Sequence, residues 1–144
     1  PAMAAHVLPL AENALDARAA MDLHRALLPG HASPPADPWR IAAGLGVALP
    51  PLPTDWVVRD AQVVATPERP ALALLLDTPD MGEVMLLSIA RDGMGPDLQP
   101  NAFDYRGNSV AVFERDRSTY VLVDNSGLPA QVSLGADQFL RRFN

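Results

Sequence analysis

Apolar positions in the first part of the chain recur with helical spacing, and from Trp56 onward they alternate. Leu10, Ala14, Ala17, Met21, His24 and Leu28 fall four and three residues apart, which sets them on one face of a helix over 10–28. Arg18 with Asp22 and Asp22 with Arg25 make i,i+4 and i,i+3 pairs on its flank. Leu15, Leu23 and Leu27 lie off that stripe, so the helix carries apolar surface on more than one side. Leu10, Ala14, Ala17, Met21, Leu23, Leu27 and Leu28 are therefore the candidate interaction residues. The helix is expected to face a partner, either across a homodimer or standing apart from the sheet; the alternative is burial against its own sheet. Pro29-Gly30 ends it. GHASPPADP, 30–38, reads as a Pro-rich linker. A second helix over 38–45 has Asp37 as N-cap, Pro38 at the first helical position and Gly46 closing it.

The alternating part predicts strands over 56–65, 71–78, 83–91, 108–115 and 118–125, with PDMG (79–82) and Asp116-Arg117 as turns. ALALLLDT is apolar on both faces, as a central strand would be. Short connections favour an antiparallel meander. Between the hairpins, 92–107 is longer than the ~12–15 residues at which structureless loops become uncommon, so it is mobile, functional or hides a short strand. A closing helix is read over 137–143. The fold class is α+β: an antiparallel sheet of about five strands, covered by helices on one face and preceded by a long N-terminal helix.

Composition narrows the function classes. Half the residues are apolar, so the chain can build a core. Net charge is −6 with no lysine, and pI is near 4.8, which argues against nucleic acid as a partner. Cysteine is absent, excluding disulfides, thiolate catalysis and cysteine-based metal sites. No apolar run reaches the ~20 residues of a membrane span, and the N-terminus has no signal-peptide pattern. Pro1-Ala2-Met3 reads as a remnant of tag cleavage, and the natural chain is expected to extend upstream.

Catalytic and ligand motifs are ordinary. His6, His24 and His31 do not share the spacing that sets two metal ligands on one helix face. Ser88 and Ser126 lie in no nucleophile elbow. Asp77 with Asp80, Asp92 with Asp97, and Asp116 with Asp124 sit at turns or strand ends, where Asp serves backbone hydrogen bonding. Gly93 to Gly95 is followed by no helix that would aim amides at a phosphate. Met81, Met85 and Met94 read as core filler, and Trp39 and Trp56 as aromatics pinning the corner between helix and sheet. The expectation is no catalytic residue, cofactor or metal, and no enzyme activity.

Three stretches carry a family likeness. LPPLPTDWVVRDAQVV followed by Pro70-Ala71-Leu72-Ala73-Leu74 and Met81-Gly82-Glu83-Val84-Met85-Leu86-Leu87-Ser88 resembles the C-terminal region of transmembrane anti-sigma factors, regulators of extracytoplasmic-function sigma factors. Asn13-Ala14-Leu15 through Leu23-His24-Arg25-Ala26-Leu27-Leu28 resembles the segment such proteins carry just outside the membrane. Tyr120-Val121-Leu122-Val123, with Asp124 at the acidic position, resembles their late strand; Thr119 and Asn125 depart from the family's small residue and glycine there. The resemblance implies a periplasmic sensor domain over 36–144 and a membrane-proximal helix and linker over 4–35, following the remnant at 1–3. It also implies partners: a sigma factor bound by a cytoplasmic part, the inner membrane through an upstream span, and an envelope protein or protease. On this reading the prolines at 50–53 form a rigid elbow that passes strain between helices and sheet; a plain turn is the alternative. The competing functional class is a periplasmic small-ligand-binding module, whose signature would be a pocket under 92–107.

Overall fold

The computed structural model describes residues 2–27, 37–92, 95–125 and 128–143. Six antiparallel strands form one sheet: β1 (Val57–Val64), β2 (Ala71–Thr78), β3 (Gly82–Ala90), β4 (Leu98–Tyr105), β5 (Asn108–Arg115) and β6 (Ser118–Asp124). Their spatial order is β1-β2-β3-β6-β5-β4. The sheet is thus two three-strand meanders joined through β3 and β6, not one continuous meander. One row of paired residues crosses all six strands: Ala61, Leu74, Leu86, Leu122, Ala111 and Ala102.

The sixth strand lies inside the long connection. LQPNAFDY makes an edge strand whose register shifts between Leu98 and Asn101, around Pro100. Proline cannot donate to a ladder, so it is confined to such edges and bulges. The opposite edge, β1, is likewise irregular between Val58 and Asp60, and bulged edges resist pairing with other chains.

Helices cover both faces, not one. The helix α1 (Ala2–Leu27) lies across the face that carries Ala73, Leu75, Met85, Leu87, Val112 and Val121. It does not stand ahead of the sheet. Val7, Ala11, Ala14, Ala17 and Met21 form its buried stripe; three alanines there allow a close approach of helix and strands. The helix runs back through Pro9, although a proline inside a helix costs one backbone hydrogen bond and favours a later start. On the other face, α2 (Pro38–Leu45) and α3 (Pro129–Leu140) close a second core around Leu74, Leu86, Phe113, Tyr120, Val132 and Phe139. Two buried faces explain why β2, β3, β5 and β6 read as continuous apolar runs.

The helix α2 has the expected ends. Asp37 accepts the N–H groups of Trp39 (3.0 Å) and Arg40 (3.4 Å), and Gly46 takes the left-handed conformation at φ 73°. The helix α3 starts eight residues before 137, at Pro129, and tolerates Gly135 for a packing reason. A Cβ at Gly135 would stand 2.5 Å from Met81 Cε. A 3-10 turn, Arg141–Phe143, follows α3 as the last of the described elements.

The proline-rich stretch from 48 to 53 is a strap bolted down along its length. Ala48 donates its N–H to Ser118 Oγ at 2.9 Å, and its carbonyl accepts the Tyr120 hydroxyl. Trp39 Nε1 donates to the Pro50 carbonyl at 3.0 Å, and Arg142 Nε to that of Pro51 at 3.4 Å. Prolines leave the strap few donors of its own, so its carbonyls are met by side chains from α2, β6 and the C-terminal turn. Burial holds the Tyr120 phenol well above its ordinary range, which keeps it a neutral donor.

Candidate functional site

A polar cluster closes the sheet end where β3, β5 and β6 meet the first turns of α1. Glu114 has the same strand parity as Val110 and Val112, so the pleat aims it inward beneath α1. Thr119 is its cross-strand partner and donates its hydroxyl to Glu114 Oε2 at 2.7 Å. His6 Nε2 lies 3.4 Å from the same oxygen.

Arg91, just past β3, neutralises Glu114 and ties the surrounding turns together. Its Nη1 lies 3.3 Å from Glu114 Oε1. Its guanidinium donates to the carbonyls of Asp116 (2.8 Å), Gly95 (3.2 Å) and Pro96 (3.3 Å). The Arg91 N–H donates to the Arg117 carbonyl at 2.8 Å. One planar fork thus holds the β5–β6 hairpin and the start of the 95–98 segment. Asp97 sits 3.9 Å from Arg91 Nη2 and 3.8 Å from Arg115 Nε. A short distance away, Arg69 Nη2 meets Asp92 at 2.8 Å.

Two clefts open beside His6 and Glu114. One, about 340 Å³, lies between α1 and the 66–69 turn, with Leu10, Asn13, Arg69 and Ile89 in its walls. The other, about 460 Å³, lies under 95–98, with Val7, Pro96 and Leu98. His6, Arg91, Asp92 and Glu114 border both. This arrangement can hold a small polar molecule. Within it the Glu114 carboxylate holds Thr119 as its hydroxyl donor and Arg91 as its counter-charge.

The residues singled out in the sequence are distributed differently. Ala14, Ala17 and Met21 are buried by the chain's own sheet, and Leu10 is half-buried at the cleft. A partner reaches that stripe only by displacing the sheet. Leu23 and Leu27 are exposed, at 60% and 69%, and Leu28, like His31 and Met94, lies outside the described residues. Of the paired aspartates, Asp77 is engaged by Arg59, Asp92 by Arg69, and Asp97 by Arg91 and Arg115. Among the described residues no group of three His, Cys, Asp or Glu side chains is placed to hold a metal. None of their helices is long and apolar enough to cross a membrane. The residues overlooked in the sequence are Arg91, Glu114 and Thr119. The available signal was a charged residue on the inward parity of an apolar strand.

Comparison with known proteins gives no family model, curated protein or solved structure that matches the chain.

Proposed function

We propose that this chain is the periplasmic sensor and regulatory domain of a transmembrane anti-sigma factor, acting without catalysis of its own. One observation supports the reading best. The stretches that resemble the family are far apart in sequence yet adjacent in space: β1 to β3 form one meander, β3 pairs with β6, and α1 contacts β3 and β6. In this role α1 descends from the bilayer, and an envelope signal that alters its seat on the sheet alters what a protease or partner can reach. The strap at 48–53 suits the same task, since its anchored prolines leave no slack between α2 and β1. Tagged full-length gene product should co-purify with an extracytoplasmic-function sigma factor, and its loss should raise transcription from that factor's promoters. Failure to retain any sigma factor, with promoter activity unchanged, would refute the proposal.

A second reading, a periplasmic ligand-binding module with no sigma-factor role, is favoured by the cleft under 95–98, the place expected of such a module. It predicts a melting temperature that rises with ligand concentration and no transcriptional phenotype on deletion.

A further inference from the structure

We propose that the cleft between the first turns of α1 and the sheet end binds a small zwitterion bearing an apolar side chain, the chemistry of a free amino acid or a short peptide. The site stands on its geometry, whether or not the chain regulates a sigma factor. Its volume, about 340 Å³, is at the low end of the roughly 300–1,000 Å³ typical of ligand pockets, so the occupant is small. Pro9, Leu10, Ile89 and Ala90 supply an apolar lining.

The anion anchor is Arg69. Its partner Asp92 is 89% exposed, so that pair is screened and readily exchanged. A guanidinium carries five donors in a fork, enough to take a ligand carboxylate through two of them. Arg91 is unsuited, being engaged with three carbonyls and Glu114.

The cation anchor is Glu114. A carboxylate has about four acceptor positions, and its contacts with Arg91 and His6 are long, at 3.3 and 3.4 Å. The His6 side chain is 56% exposed and can swing aside for an ammonium group. Charges of both signs decide the class. A simple anion would meet Glu68, Asp92 and Glu114, and a simple cation would meet Arg69 and Arg91. The occupant would touch α1 at Leu10 and Asn13 and the sheet at Ile89 and Glu114, so binding holds α1 on the sheet. A ligand of that kind favours the docked arrangement by its differential affinity for it.

The test is titration of the whole ¹⁵N-labelled chain with L-leucine and L-alanyl-L-leucine, read by amide chemical shifts. N-acetyl-L-leucine and L-leucinamide lack one charge each. Saturable shifts centred on Asn13, Arg69 and Glu114 are expected, with each blocked analogue binding at least about tenfold more weakly. Arg69→Ala should weaken binding by about tenfold or more while the unfolding midpoint stays put. Asn13→Ala, on the opposite wall, should also weaken it and serves if the Arg69 variant does not fold. Saturation by leucine alone identifies a free amino acid, and by the dipeptide alone a peptide. No saturable shift, shifts away from the cleft, or equal binding of the blocked analogues would overturn the proposal.

Discussion

Met21→Ala removes one fully buried side chain from the seam between α1 and the sheet. Truncating a buried methionine to alanine costs about 2–5 kcal/mol through lost transfer energy and the cavity left behind. Residual collapse of neighbouring Met85, itself flexible, argues for the lower part of that range, about 2–3 kcal/mol. For a chain of this size each kcal/mol moves the melting temperature by roughly 3–4 °C, so a fall of about 6–12 °C is expected. Urea unfolding followed by far-ultraviolet circular dichroism and by the fluorescence of Trp39 and Trp56 gives the free energy and tests for a single transition. Leu23→Ala and Leu27→Ala, on the exposed side of the same helix, should each stay within about 0.5 kcal/mol of the parent. If Met21→Ala is as mild as those two, α1 is not part of the core. If Leu23→Ala and Leu27→Ala cost as much as Met21→Ala, a partner covers the outer face in solution.

Other variants test the strap, the turn cluster and a cap. Tyr120→Phe removes the donor to the Ala48 carbonyl and should cost about 1–2 kcal/mol in urea unfolding. In the parent, the raised folded-state pKa of Tyr120 gives stability that is full below the free phenol's value of 10.0. It is lost as pH rises toward the folded-state value, at up to about 1.4 kcal/mol per pH unit. That slope should largely vanish in Tyr120→Phe. Arg91→Lys keeps the charge but loses the fork to three carbonyls, and should lower stability by about 1–3 kcal/mol, read by the same unfolding. Gly46→Ala forces a Cβ into the left-handed conformation at the end of α2 and should cost about 1 kcal/mol, measured as a lower melting temperature.

Local signals were legible where they were self-contained. Asp37, Pro38 and Gly46 bound α2 at the expected residues, because a cap is a contact between near neighbours. The bounds of β2 and β5 follow from apolar runs flanked by turn residues. What escaped depends on distant partners. The strand β4 was only one of three readings open for 92–107, since Pro100 counts against a strand unless the strand is known to be an edge. Gly135 hides the first half of α3, since the reason for a glycine there is Met81 on another element. The meeting of β3 with β6 is not encoded in loop length. The apolar character of α1 was visible, but which surface covers Ala14, Ala17 and Met21 was not. The cleft between α1 and the 66–69 turn was not legible, because His6, Arg69, Arg91 and Glu114 converge only through the sheet order.

Placement across the inner membrane is the claim on which the regulatory reading turns, and the cysteine-free sequence makes it measurable. Val63→Cys puts one thiol on an exposed position of β1 in the full-length gene product. The account predicts labelling by a membrane-impermeant maleimide in cells whose outer membrane alone has been opened, above the level of the parent without the substitution. A thiol that reacts only after the inner membrane is lysed would contradict it.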